Sequence, residues 1–151
     1  MRLSDLLQPD RLVIPLRGTT KEGVLRELVQ VLVGGNGGTT DEVLGAILER
    51  ERQFPTGIGY GVAVPHGRSP ALGGFRAAAG TARAPIPYES VDGEPVQLFF
   101  LLAGPEATAG DHVKVIGRIS RLVRREAVRR QLLAASTPEE FHRALSEAEV
   151  G

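Results

Sequence analysis

Apolar residues recur with helical spacing in successive stretches of this chain, separated by short apolar runs that carry no helical period. Val24, Leu25, Leu28, Val31 and Leu32 mark the buried face of one predicted helix, and Val43, Leu44, Ile47 and Leu48 that of the next. Val115, Ile116, Ile119, Leu122 and Val123 predict a third, and Phe141, Ala144 and Leu145 a fourth. Leu3, Leu6 and Leu7 suggest a short amphipathic opening helix closed by Pro9. Start signals accompany the pattern. Thr19 with Glu22, and Thr39 with Glu42, have capping-box spacing. Asp111 reads as an N-cap that places His112 in the first turn of its helix. Thr137, Pro138 and Glu140 open the last helix. Gly34-Gly35-Asn36-Gly37-Gly38 stops the first long helix and reads as a flexible connector, and the second ends near Gln53.

The runs between helices read as strands. Arg11 to Leu16 is one, placed at a sheet edge by Pro15, which cannot donate to a ladder. Val62 to Val64 is a brief buried strand, Phe75 to Ala82 a strand of small residues, and Val96 to Leu102 a strongly apolar, central one. Ser69-Pro70 to Gly73-Gly74 reads as a loop, Pro85-Ile86-Pro87-Tyr88 as a stiff connection, and Asp92-Gly93 as a turn. Helices alternating with short strands predict an α/β fold: a mixed sheet of about five strands flanked by helices on both faces, forming a single domain over residues 1–151.

Composition narrows the function classes. Lys+Arg and Asp+Glu are each 18, a balance that disfavours a general nucleic-acid binder. With no cysteine, the chain has no disulfide, no thiolate metal site and no thiol nucleophile. No apolar run approaches the ~20 residues that span a bilayer, and the first residues lack an apolar signal core, so a cytoplasmic protein that is not membrane-embedded is expected. No paired His-x-x-x-His supports a metal site, and no cofactor is implied. Arg118, Arg121, Arg124 and Arg125 form a basic stripe that Arg129 and Arg130 extend. It is either a solvated helix face or a docking surface for an acidic partner.

The densest chemistry lies in Thr56-Gly57-Ile58-Gly59-Tyr60-Gly61-Val62-Ala63-Val64-Pro65-His66-Gly67. The alternating glycines allow positive φ and close approach of backbone N–H groups to a ligand. Pro65 biases Val64 towards an extended conformation, so His66 sits at a stiff strand end where its ring can be aimed. A Gly-rich turn before a strand is also a common structural device, and a lone histidine is often only packed.

This segment resembles the active-site signature of the enzyme IIA domains of the bacterial phosphotransferase system, of the fructose, mannitol and nitrogen-regulatory type. The match is carried by Thr56, Gly57, Ile58, Gly59, Gly61, Ala63, Pro65 and His66. Arg50-Glu51 matches the family's Arg-Glu pair upstream, and His112-Val113-Lys114-Val115-Ile116 the helix start bearing its second active-site histidine. Pro55, where many relatives have Ser, and Ser69-Pro70 depart from the family pattern. The resemblance implies the mannitol-type IIA fold and a phosphotransferase role. His66 would be the phosphoryl acceptor, with His112 and Arg50 beside it and backbone groups of Thr56, Gly57, Gly59 and Gly61 completing a phosphoryl cradle. It also implies an HPr-like phosphocarrier as donor and, as acceptor, a IIB-domain cysteine or a regulatory target. A protein in which phosphorylation purely regulates binding remains open, and a histidine-dependent hydrolase lacks an evident activated nucleophile or metal. The sugar, if there is one, is not written in this chain.

Overall fold

A computed structural model describes residues 2–34 and 37–150. Among the described residues, six strands form one mixed sheet: β1 (Leu12–Leu16), β2 (Gly57–Gly59), β3 (Val62–Ala63), β4 (His66–Arg68), β5 (Arg76–Ile86) and β6 (Val96–Gly104). The order is β1-β5-β6-β3-β2, with β4 also paired to β6. Helices α1 (Leu3–Leu6), α2 (Lys21–Val33), α3 (Gly37–Gln53), α4 (Ala109–Val123), α5 (Glu126–Ala134) and α6 (Pro138–Val150) surround it. The expected α/β class and mixed sheet are present, with one strand more than the five expected.

Central β6 shows why the layers form. Leu98, Phe100 and Leu102 face a core shared with α1, α4, α5 and α6, whereas Phe99, Leu101 and Ala103 face α2 and α3. A strand sends alternate side chains to opposite faces, so an almost wholly apolar run fits only a sheet covered on both sides. β5 lies antiparallel to β6, while β3 and β4 lie parallel to it. β3 and β4 together form one strand interrupted at Val64-Pro65. The Pro65 carbonyl keeps that break in the sheet by accepting Leu102 N–H at 3.0 Å. β1 with Pro15 takes the edge, as expected.

Several local expectations shift. The N-cap of α2 is Thr20, whose hydroxyl accepts Gly23 N–H at 3.1 Å, rather than Thr19. Adjacent threonines offer the same cap in two registers, and the buried face selects one: Val24, Leu25, Leu28, Val29 and Leu32 are buried, with Val29 replacing Val31. Gly34 ends α2 in the left-handed region, but Gly37 and Gly38 begin α3 instead of continuing a connector. Thr39 therefore lies inside that helix. Gly35 and Asn36 fall outside the described residues. β4 occupies the start of the expected loop after His66, and β5 runs on past Ala82 to Ile86, into the first half of the expected stiff connection Pro85-Ile86-Pro87-Tyr88. α4 starts before Asp111, after a short 3-10 turn over Glu106–Thr108, and its N-cap Thr108 makes no side-chain cap bond. The basic stripe is split: α4 ends at Val123, and Arg129 on α5 donates to the carbonyls of Val123 (2.7 Å) and Arg124 (3.1 Å). His142 is half-buried and bonds the Ser4 carbonyl at 2.9 Å, joining α6 to α1. Glu149 completes that joint by accepting Leu3 and Ser4 N–H.

Candidate functional site

His66 opens β4 and pairs with Leu102 of β6. Its Nδ1 lies 2.9 Å from the Val64 carbonyl oxygen. A carbonyl only accepts, so Nδ1 carries the proton and Nε2 keeps its lone pair. The tautomer is thus fixed by the two-residue hook that Pro65 makes possible. The next residue explains how a helix comes so near. A Cβ at Gly67 would lie 2.9 Å from Ile47 Cγ1 and 3.1 Å from Ile47 N, so only glycine lets α3 pack this closely on β4. Arg50 follows Ile47 by about one turn.

His112 is the fourth residue of α4, which covers the face of the sheet opposite α3, the face that carries His66. The two imidazoles stand edge to face with centroids 6.1 Å apart, and Phe75 packs against His112 at 5.0 Å. His112 is 3% exposed, and no protein group among the described residues bonds either of its ring nitrogens. A buried N–H left in this way costs ~1–3 kcal/mol, a penalty that a ligand oxygen at hydrogen-bond distance removes.

The electrostatics keep both rings neutral. Burial lowers the pKa of His66 below 6.5, opposed by the Val64 hydrogen bond, and the positive charge of Arg50 adds to the lowering. Burial pulls His112 down to about 4, and His66 and Arg68 push the same way. The unfolded chain therefore binds more protons than the folded one between about 4 and the ordinary 6.5. Stability contributed by keeping these rings neutral is fully present above 6.5 and is lost as the pH falls from there towards 4. The expected result in urea unfolding is a midpoint that drops across this window, and drops less in His112→Gln. Proton NMR should place the His112 titration near the lower end, and a His112 titration at 6.5 or above refutes this electrostatic picture.

Arg50 is in the last turn of α3 and half-buried. Its guanidinium donates to the Phe54 carbonyl at 2.9 Å and lies over the Phe54 ring. The structure brings its charge within reach of His66, but its hydrogen bond goes to the helix end.

The glycine segment is tied down from beneath. Glu51, 2% exposed, accepts Thr56 N–H at 2.9 Å, the Thr56 hydroxyl, and Tyr88 O–H at 2.7 Å, and Lys21 stands 3.2 Å from its carboxylate. Lys21 also lies over the Tyr88 ring. Burial and the Glu51 charge raise the Tyr88 pKa, so the phenol remains a donor. Gly57 packs so tightly that a Cβ there would meet the Glu89 carbonyl oxygen at 2.5 Å. Gly59 and Gly61 have φ of +94° and +73°, which glycine adopts without strain, and Tyr60 between them also has positive φ. Gly59 N–H donates to Ser90 Oγ (3.1 Å) and Tyr60 N–H to Asp92 Oδ2 (3.2 Å). The N–H groups of Thr56 and Gly59, two of the four expected cradle positions, are thus engaged within the protein, as is that of Tyr60.

Groups absent from the sequence reading of the site are Lys21 and Tyr88, which support Thr56, and Arg68, whose charge acts on both imidazoles. A signal for Arg68 existed: it follows His66 by two residues and would share its face had the short strand been foreseen. Arg118, Arg121 and Arg125 instead surround a shallow surface pocket with Arg2 and Glu149, and Arg125 donates to the Ala148 carbonyl. Among the described residues, no group of three or more His, Cys, Asp or Glu side chains is arranged to hold a metal ion, and no helix is long and apolar enough to cross a membrane.

Comparison with known proteins gives a consistent result. The family described as "Phosphoenolpyruvate-dependent sugar phosphotransferase system, EIIA 2" matches residues 5–148. A nitrogen regulatory protein of Bradyrhizobium diazoefficiens is 34% identical over 146 residues, covering 97% of this chain and 95% of that protein. The fructose-specific EIIABC component of Bacillus subtilis is 35% identical over 138 residues, 91% of this chain but 22% of that longer protein. The crystal structure of nitrogen regulatory protein IIA-Ntr from Neisseria meningitidis superposes with a TM-score of 0.86 at 27% identity, covering 95% of this chain and 98% of that one.

Proposed function

The chain belongs to the EIIA 2 family of the phosphoenolpyruvate-dependent sugar phosphotransferase system, and from that premise we propose that it is a cytoplasmic phosphocarrier whose His66 accepts a phosphoryl group from the phosphohistidine of an HPr-like protein. The observation that carries this reading is the His66–His112 pair: one ring with its Nδ1 proton held on a carbonyl, the other buried with no bonding partner.

In the proposed step the donor's N–P bond breaks as a new N–P bond forms to His66 Nε2. The electron pair of the old bond returns to the donor imidazole, and the proton stays on Nδ1, donated to the Val64 carbonyl. Phosphoryl transfer asks little covalent help of a protein. It asks for in-line positioning and stabilisation of the equatorial oxygens. His112 supplies an imidazole N–H near the start of α4, where the helix dipole also favours an anion. Arg50 supplies fixed positive charge. Thr56, Gly57, Gly59 and Gly61 act as a scaffold, through the Glu51 network and the Ser90–Asp92 loop, more than as oxyanion donors. Discharge reverses the step, with a IIB cysteine thiolate as the attacking group.

A second reading has specific support. A nitrogen regulatory protein is matched over 95% of its length and the IIA-Ntr structure over 98% of its chain, while a fructose-specific EIIA component of Haloferax volcanii is matched over 84% and the fructose EIIABC component over 22%. In that reading the phosphorylation state of His66 controls binding to a regulatory target, and the chemistry at His66 is unchanged.

The test is incubation with phosphorylated HPr-like carrier of either the sugar or the nitrogen branch. The expected outcome is the mass gain of one phosphoryl group, labile to acid and stable to alkali as a phosphoramidate is. No gain from either carrier overturns the reading.

A further inference from the structure

Resting on that reading, we propose that Arg68 is a further phosphoryl-binding residue of the site, and that phosphorylation of His66 draws it away from Glu106. In β4, His66 and Arg68 are two residues apart and so share a face, while Gly67 between them faces α3. The face carrying His66 and Arg68 is the one on which α4 brings His112. Arg68 Nη1 bonds Glu106 Oε1 at 2.8 Å, and Glu106 begins the 3-10 turn that leads directly into α4. The positive charge of Arg68 is felt at both imidazoles. Its present partner is a weak competitor. The two side chains are 50% and 80% exposed, and exposed ion pairs of this kind contribute little.

A phosphoryl group on His66 changes the balance. It carries up to about two negative charges against one on a carboxylate, and its three oxygens match the guanidinium fork. It would also sit in a site that His112 and Phe75 partly shield from water, where charge attraction is stronger. Arg68 therefore exchanges one acceptor for a better one with no proton moved and no bond broken except the ion pair. Glu106 is left as a bare carboxylate at the rim of the site, beside the turn that starts α4. The phosphorylated surface then differs from the free one in more than the phosphoryl group, which gives a partner protein a second feature by which to distinguish the two forms.

The test uses the whole chain with phosphorylated HPr-like carrier and the variants Arg68→Gln, Glu106→Gln and the double variant. The readout is the equilibrium ratio of phosphorylated to free protein. Arg68→Gln should lower the ratio about tenfold, the loss of a charged hydrogen bond, and Arg68→Lys should recover part of it. Glu106→Gln should raise the ratio about threefold by removing the competitor. In the double variant the Glu106 effect should vanish, because no guanidinium remains to be contested. An equal Glu106 effect with and without Arg68 means that Glu106 acts only through space and overturns the exchange. An unchanged ratio in Arg68→Gln overturns the binding role. A wild-type protein that takes no phosphoryl group sinks the acceptor reading as well, whereas normal wild-type phosphorylation with either of these variant outcomes sinks this inference alone.

Discussion

The His66→Ala variant gains no phosphoryl group from a phosphorylated HPr-like carrier, at any time or concentration that loads the wild-type protein to completion. The expected loss is total because no other nucleophile of the right kind is in place. The chain has no cysteine. Its other histidines are occupied differently: His112 is 3% exposed, with a pKa near 4, and His142 bonds the Ser4 carbonyl between α1 and α6. The fold should survive the substitution. His66 is half-buried and its hydrogen bond is to the nearby Val64 carbonyl, so the cost is ~1 kcal/mol. A circular dichroism spectrum and thermal midpoint close to wild type establish that the loss is chemical. Phosphorylation of a folded His66→Ala protein at anything near the normal rate assigns the acceptor elsewhere.

His112→Ala slows onward transfer from the phosphorylated protein to a IIB acceptor about 10²–10³-fold in single turnover, the usual effect of removing one donor from a developing charge. Carrier binding changes much less, since the buried ring presents almost no surface to a partner. Truncation also leaves a cavity against Phe75, so His112→Gln is the necessary companion. The glutamine amide restores an N–H donor without an ionisable ring and should recover part of the rate, which a purely packing role would not require. Arg50→Ala shifts the rate in the same direction by a smaller factor, because its guanidinium is hydrogen-bonded to the Phe54 carbonyl and acts on His66 through charge. Unchanged transfer rates in both His112→Ala and Arg50→Ala remove these residues from the mechanism.

Hydrophobic period and local punctuation determined much of this protein by themselves. A strand as apolar as Val96–Leu102 has nowhere to lie except the middle of a doubly covered sheet, and a proline in Leu12–Leu16 belongs at an edge. The spacing of Val43, Leu44 and Ile47 sets the face of α3, and Gln53 its end. The run from Thr56 to His66 carried its own chemistry as residue types in order. What the sequence left undecided were choices between nearly equal local options. Thr19 and Thr20 are equivalent caps until the buried face of α2 chooses. Gly37 and Gly38 can loop or start a helix, where the first N–H groups lack intrahelical partners in either case. His66 to Arg68 is too short to show a strand period and becomes a strand only because β6 pairs with it. The site itself is tertiary. His66 and His112 are 46 residues apart in number and meet because β4 and α4 flank the end of β6, and no local propensity encodes a distance of that kind. Likewise Glu51 gathers Thr56, Tyr88 and Lys21 from separate segments, and their partnership exists only once burial has removed the water that each would otherwise bind.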